Sequence, residues 1–94
     1  MGVIQQRVAS EWGVTVEGLQ SKTRTKTLTI PRQVAMYLAR EILGLQLVEI
    51  GQAFGGRDHS TVIHSLERVA ETMKESAEFR GRVERVRETV RHSA

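Results

Sequence analysis

The sequence predicts an all-α fold, a bundle of six helices with a helix-turn-helix inside it. Apolar residues recur three and four positions apart along most of the chain, as they do on the buried face of an amphipathic helix. Glycines follow several of these segments, where helices commonly end, and no alternation of apolar and polar residues is long enough to indicate a strand. The 94 residues, 39% of them hydrophobic and 27% charged, suit one small soluble domain over 1–94.

Two helices are predicted over residues 1–20. Apolar side chains at Ile4, Val8 and Trp12 place one face of the first helix against a core, and Gly13 can end that helix. A short second helix follows, because a threonine two residues after this glycine can cap it.

A basic segment and a third helix come next. Residues 21–29 alternate threonine with lysine and arginine and offer no apolar face, so they predict a loop. Helix three is predicted over 30–44, since Pro31 suits a first helical turn, where its missing N–H is no loss, and Gly44 ends the apolar stripe.

Residues 47–75 predict a helix-turn-helix with a long second helix. A two-turn apolar stripe ends at the glycine pair 55–56, and Asp58 is a suitable N-cap for the helix behind it. Small polar side chains open this second helix, as they must if its first turn is to enter a DNA groove. Val62 and Ile63 are expected to turn back toward the core.

Positive charge is concentrated in one quarter of the chain, although the formal net charge is only +3. Residues 18–40 contain five basic side chains and no acidic one, whereas the other positions hold nine basic and eleven acidic side chains. A polyanion-binding face needs such an asymmetry, although a solvated loop could also carry it by chance. The closing helix, predicted over 77–92, interleaves arginine with glutamate and indicates instead a solvated, ion-paired surface.

Composition and spacing disfavour several other classes of protein. The sequence has no cysteine for disulfides or thiolate metal sites, no apolar run long enough for a membrane span and no secretory signal, so we expect a cytoplasmic location. His59 and His64 are five positions apart, which does not place two metal ligands on one helical face. Asp58, His59 and Ser60 are adjacent in one turn and cannot form a catalytic relay, so the sequence predicts no enzyme.

Three segments of the chain resemble a known family. The string IGQAFGGRDHSTVIHS at Ile50–Ser65, with SKTRTKT at Ser21–Thr27 and PRQVAMYLARE at Pro31–Glu41, is similar to the C-terminal DNA-binding domain, domain IV, of the bacterial chromosomal replication initiator family DnaA. The likeness extends over nearly the whole chain. It implies a Trp-repressor-like helical bundle that binds short asymmetric duplex repeats, the DnaA boxes, at a replication origin.

The resemblance implies base contacts for four residues. Arg24 in the basic segment matches an arginine that enters the minor groove beside A·T pairs. Asp58, His59 and Ser60 match residues that bind base edges in the major groove, although capping explains Asp58 equally well. Contacts to the sugar-phosphate backbone are implied for Lys22, Lys26, Arg32, Gln33, Arg40, Thr61, His64 and Arg68.

The resemblance also bears on partners and cofactors. The chain has no GxxxxGK[ST] loop, so no cofactor is expected here, and an ATP site is expected in the AAA+ domain of a longer protein of which this chain is one domain. We expect double-stranded DNA as the partner, a monomeric isolated domain and a location at the nucleoid. Two alternatives stay open, a module that docks a replication regulator and a surface that contacts acidic phospholipid.

Overall fold

A computed structural model describes residues 1–92, which form six α-helices joined by short turns. The helices are α1 (Gly2–Trp12), α2 (Val16–Gln20), α3 (Lys26–Leu43), α4 (Leu47–Ala53), α5 (His59–Glu75) and α6 (Ala77–Arg91). This arrangement confirms the predicted all-α class with its helix-turn-helix, formed by α4 and α5. Positions 93–94 of the predicted domain lie outside the described residues. Within residues 1–92, no helix combines the length with the apolar content that crossing a bilayer requires.

Helix α3 is the centre of the bundle and packs against α1, α2, α4 and α5. Phe54, at the C-terminal end of α4, is the largest of the fully buried side chains. Burying a side chain of this kind stabilises the fold by about 1.5–3 kcal/mol, so the first helix of the helix-turn-helix is anchored to the core. The other completely buried apolar side chains are Val8, Leu19, Val34, Ala35, Leu38, Ala39, Ile50, Val62 and Val83.

Local signals fix most helix ends. Thr15, Asp58 and Ser76 each accept a hydrogen bond from the backbone N–H three residues later, at 2.9–3.1 Å, and so cap α2, α5 and α6. Gly13 ends α1 with φ at 68°, a conformation that glycine adopts without steric cost. The first-helix end at Gly13 and the caps at Thr15 and Asp58 agree with the sequence prediction.

Helix α3 is longer than predicted. It begins at Lys26, so the predicted loop over 21–29 is wrong at its C-terminal end and the predicted helix over 30–44 starts too late. Pro31 lies in the second turn of α3 and not in the first. The segment that remains outside α2 and α3, residues 21–25, is called the basic loop below.

Leu28 explains the early start of α3. Its side chain packs so closely on α2 that a Cβ built on Gly18 would lie 2.9 Å from Cδ2 of Leu28. This contact holds the first turn of α3 against α2, and the helix forms although Pro31 removes one intrahelical hydrogen bond. The prediction gave weight to the proline and none to the single leucine in a polar segment.

Glu11 fixes α6 to α1. Its carboxylate accepts hydrogen bonds from Nη2 of Arg85 and from Nε of Arg82, both at 3.1 Å. The Arg85 hydrogen bond, supported by Arg82, lowers the pKa of Glu11 below its ordinary value of 4.5, against burial, which raises it. Arg82 also lies 4.3 Å from the centre of the Trp12 ring, in a cation–π contact. The arginines of α6 therefore pair with a neighbouring helix as well as with their own.

We expect Glu11→Gln to lower the free energy of unfolding by about 1–2 kcal/mol at neutral pH, because a neutral amide forms no ion pair with Arg82 or Arg85 and offers them one acceptor oxygen in place of two. Since the pKa of Glu11 is lower in the folded state than in the unfolded state, this stabilisation is present at neutral pH and is lost as the pH falls below 4.5. Urea unfolding at neutral pH and at about pH 3 measures both effects.

The matched control is Glu71→Gln, which removes an exposed carboxylate from α5. We expect it to change the free energy of unfolding by less than about 0.5 kcal/mol. Equal destabilisation by the two variants would contradict a specific role for Glu11.

Candidate nucleic-acid interface

Hydrogen bonds to backbone carbonyls hold the basic loop on the bundle. Arg32 of α3 donates from Nε to the Leu19 carbonyl at 2.7 Å, from Nη1 to the Thr23 carbonyl at 3.0 Å and from Nη2 to the Gly18 carbonyl at 3.1 Å. The Ser21 hydroxyl donates to the Gly18 carbonyl at 2.8 Å. These hydrogen bonds fix the backbone of the loop, so its exposed side chains project from defined positions.

Arg32 has a different role from the predicted contact to the DNA backbone. The residue is only 4% exposed, and three of its N–H groups are bound to carbonyls. Burial, and after it the neighbouring charge of Arg57, lowers the pKa of Arg32. We correct the interpretation of Arg32 to a structural one, in which it supports the loop from below.

The turn between α4 and α5 packs directly against this loop. The Gly51 carbonyl accepts three N–H groups of the turn, at 3.0–3.2 Å. A Cβ at Gly51 would overlap the carbonyl oxygen of Arg57, and a Cβ at Gly55 would lie 2.5 Å from the carbonyl oxygen of Gln20. Gly55 also has a φ of 87°, so a side chain there is disfavoured both by the close Gln20 carbonyl and by the backbone conformation. Gly51 therefore allows α4 to approach the segment before α5, and Gly55 allows the turn to approach the end of α2, where the basic loop begins.

Arg57 joins the turn to the loop through its side chain. Its Nη2 donates to the Ser21 carbonyl at 2.6 Å, and its Nε is buried without a hydrogen-bond partner in the described structure. Arg57 was not among the site residues predicted from the sequence. Its position between the glycine pair and the capping Asp58 was the available signal.

A cleft of about 240 Å³ opens where the basic loop meets the first turn of α5. Arg24, the predicted minor-groove residue, and Asp58, at the head of the predicted major-groove helix, both line it although they are distant in sequence. The complete lining is Lys22, Arg24, Gly55, Gly56, Arg57, Asp58 and Thr61. The fold therefore brings Arg24 and Asp58 to one cleft, whereas His59 and Ser60 do not line it.

Exposed polar side chains continue from the cleft along α5. His59, Ser60 and Thr61 are exposed in its first turn, and His64 follows on its outer surface. Arg68, one turn further on, shares a small hollow of about 130 Å³ with Gln33 of α3. The structure thus places Gln33 and Arg68 at the same hollow.

Ile63 does not face the core as predicted. Val62 is completely buried, whereas Ile63 is 39% exposed. Neighbouring residues of an α-helix point about 100° apart, so a narrow core face accommodates one of the two and turns the other outward. Ile63 instead adds an apolar group one turn after His59, among the polar side chains of α5.

Asp58 caps α5 with an exposed carboxylate. Oδ1 accepts the Thr61 N–H at 2.9 Å, and this bond, followed by one from the Thr61 hydroxyl, lowers the pKa of Asp58 below its ordinary value. The carboxylate is therefore ionised at neutral pH. A carboxylate has about four lone-pair sites on its two oxygens, so these bonds leave Asp58 able to accept a further bond from a base.

Lys26 and Arg40, like Arg32, Gln33, His64 and Arg68, do not line the cleft. Lys26 is exposed at the first residue of α3, immediately after the basic loop. Arg40 is in the last turn of α3, about 21 Å further along the helix axis at 1.5 Å per residue. One N–H group of its guanidinium, Nη1, donates to the Leu45 carbonyl at 2.6 Å and so holds the end of α3. The side chain is exposed, and its contact with a phosphate stays a prediction.

Comparison with known proteins identifies related helical domains. Residues 1–69 match the family described as "Bacterial dnaA protein helix-turn-helix". A crystal structure of a DNA replication initiation factor is 36% identical with a TM-score of 0.82, and the match covers 93% of this chain and 26% of that one. The structure of AMPPCP-bound DnaA from Aquifex aeolicus is 34% identical with a TM-score of 0.75, covering 94% of this chain and 26% of that one. The chain thus spans about a quarter of the length of these two solved structures.

Proposed function

The chain belongs to the family of bacterial DnaA helix-turn-helix domains, and from this membership we propose that it binds double-stranded DNA sequence-specifically, at short asymmetric repeats of a replication origin. One observation carries the proposal. Arg24 of the basic loop and the first turn of α5 border one cleft, so two base-reading elements can meet neighbouring grooves of the same duplex. The function is binding, and no catalytic role is proposed.

Helix α5 enters the major groove with its N-terminal turn. That groove is about 12 Å wide and admits a helix whose leading side chains are small or form hydrogen bonds. His59 and Ser60 are exposed there and bind base edges, and the carboxylate of Asp58 accepts from a cytosine amino group. Ile63, one turn on, offers an apolar surface to a thymine methyl group.

Arg24 enters the adjacent minor groove. A·T-rich segments have a narrow minor groove whose strong negative potential attracts a guanidinium. Because the backbone near Arg24 is held by Arg32 at the Thr23 carbonyl and by Arg57 at the Ser21 carbonyl, ordering this side chain on DNA loses less conformational entropy than ordering a free loop would.

Contacts to phosphates set the position of the domain on the duplex. These contacts carry no sequence information and depend strongly on salt. We assign them to Lys22, Lys26, Gln33, Arg40, Thr61, His64 and Arg68. We omit Arg32, which is buried and donates three hydrogen bonds to backbone carbonyls of the protein itself.

Fluorescence anisotropy on two labelled duplexes tests the proposal. One duplex carries a single origin-type repeat, and the other is a scrambled duplex of equal composition, each measured across a salt series. We expect the repeat to bind at least a hundredfold more tightly at physiological salt, which is about 2.7 kcal/mol of discrimination. Equal affinity with an equally steep salt dependence would overturn sequence-specific binding.

Lys22→Ala is expected to weaken binding to both duplexes by the same factor, because Lys22 contacts phosphates and not bases. The slope of log affinity against log salt should decrease by about 0.9, the value for one lost phosphate contact on B-form DNA. Lys74→Ala, which removes the same charge from the far end of α5, is the control and should leave the slope unchanged. A loss confined to the repeat would contradict the phosphate assignment.

The remaining expectations concern the longer protein. We propose that it acts in the cytoplasm at the nucleoid and that its ATP site lies in an AAA+ domain outside this chain. Contacts with replication regulators or acidic phospholipid stay predictions. Vesicles of acidic lipid that bind the chain at physiological salt would support the lipid contact, and vesicles that do not would remove it.

A further inference from the structure

The hydrogen bond from Arg57 to the Ser21 carbonyl joins two segments with different proposed tasks. Ser21 begins the basic loop that carries Arg24, and Arg57 immediately precedes Asp58, the N-cap of α5. At 2.6 Å, the contact between Nη2 and the carbonyl oxygen is short and is made by a charged donor. It therefore ties the backbone of the loop to the start of the helix.

The two arginines at this place hold the loop against different parts of the fold. Arg32 donates to carbonyls of α2 and of the loop, so it holds the loop to the core. Arg57 is fixed at its backbone, whose N–H donates to the Gly51 carbonyl, and reaches the loop with its side chain. Arg57 thus links the start of the loop directly to the segment before α5, which Arg32 does not do.

The position of the Arg57 guanidinium carries two costs to the stability of the fold. The two guanidinium groups are close enough that the charge of Arg57 lowers the pKa of Arg32, so their mutual repulsion opposes folding. Nε of Arg57 is also buried without a partner in the described structure, which removes it from water without compensation. A contribution to positioning accounts for the contact better than a contribution to stability.

We propose that Arg57 is a positioning residue that sets the separation between Arg24 and the first turn of α5, and so couples minor-groove to major-groove recognition. This inference rests on the proposed function. Adjacent grooves of a duplex lie at a fixed spacing. A loop that keeps its Arg32 contacts but loses its bond to the segment before α5 presents Arg24 at the correct place only part of the time. The apparent affinity is then the intrinsic affinity multiplied by the fraction of time that the loop spends in the binding-competent position.

A double-mutant cycle with Arg24 tests the coupling. Arg57→Met keeps most of the side-chain volume but removes the donor, and we expect it to weaken binding to the repeat about tenfold in the wild-type background. In the Arg24→Ala background the same change should weaken binding less than about threefold, because there is no arginine left to position. Equal losses in the two backgrounds would overturn the inference and leave the proposed function standing.

The salt series distinguishes positioning from a direct phosphate contact. Arg57→Met should leave the salt slope unchanged, whereas a decrease of about 0.9 would identify Arg57 as a phosphate contact and overturn the inference. Arg57→Lys, which keeps a donor and the charge, should recover part of the affinity lost in Arg57→Met. A wild-type protein that does not discriminate between repeat and scrambled duplex would overturn both proposals. The wild-type measurement alone gives that result, so it is known before any variant is compared.

A measurement without DNA gives an independent result. The chain has no cysteine, so Thr23→Cys and Glu71→Cys, both at exposed positions, introduce two unique sites for spin labels on the loop and on α5. Pulsed electron paramagnetic resonance should give a single narrow distance distribution with Arg57 present and a broader one with Arg57→Met. Distributions of equal width in the two proteins, each shown to be folded by its thermal melt, would overturn the inference.

Discussion

Gly51→Ala is expected to lower the free energy of unfolding by about 3 kcal/mol or more, the largest effect on stability predicted for a single methyl group in this chain. The added Cβ would overlap the carbonyl oxygen of Arg57, which belongs to the backbone and cannot rotate away as a side chain could. The same turn is held by N–H groups bound to the Gly51 carbonyl. Either α4 separates from α5 or the turn opens, and both changes expose Phe54 and its neighbours.

Other glycines of the chain provide matched controls in urea unfolding followed by circular dichroism. Gly81 lies in α6 with no atom within 4 Å of an added Cβ, so Gly81→Ala should stabilise the protein by about 0.5–1 kcal/mol. Gly55 and Gly56 both have positive φ, but only Gly55 faces another backbone atom, the Gln20 carbonyl oxygen at 2.5 Å. Gly55→Ala should therefore be the more destabilising of this pair. A Gly51→Ala protein as stable as the wild type would contradict the described packing of α4 on α5.

The sequence predicted those parts of the fold that depend on local chemistry. The caps at Thr15 and Asp58 and the helix end at Gly13 are determined by residues within one turn, so their signals are visible without any tertiary structure. The all-α class followed from the spacing of apolar residues over the whole chain, which tolerates errors at single positions.

The features that sequence analysis missed depend on contacts between distant segments. The start of α3 is set by the packing of Leu28 on Gly18, and a single leucine in a polar segment gives no periodic signal. The exposure of Ile63 depends on how narrow the core face of α5 is, which only the positions of the other helices decide.

The candidate site shows the same division. The residues assigned to bases were found through a motif, and Arg24 and Asp58 prove to border one cleft. The sequence did not show which residues hold the cleft in shape. In the sequence, Arg32 and Arg57 look like any exposed arginine, and only the contacts of their guanidinium groups in the fold distinguish them. A basic segment therefore predicts a charged surface but does not separate residues that face the ligand from residues that hold the surface in place.

Arg24→Ala and His59→Ala are each expected to weaken binding to an origin-type repeat by about 1–3 kcal/mol and to change binding to a scrambled duplex much less. Arg24→Ala removes the guanidinium from a narrow groove with strong negative potential. His59→Ala removes a hydrogen bond or apolar contact that the first turn of α5 makes to a base edge. Both side chains are exposed, so removing them should leave the fold intact, which thermal melts check.

Controls separate base recognition from charge. Arg91→Ala removes one exposed arginine from the end of α6 and should leave the preference for the repeat unchanged. Arg24→Lys keeps the charge without the planar guanidinium and should fall between the wild type and Arg24→Ala. Replacing the A·T pairs at the minor-groove end of the repeat by G·C should weaken the wild type strongly and Arg24→Ala only slightly, because the alanine variant no longer senses that groove. Equal losses on repeat and scrambled duplex would instead make both residues general contacts, and the discrimination would then have to come from Ser60, Ile63 or the carboxylate of Asp58.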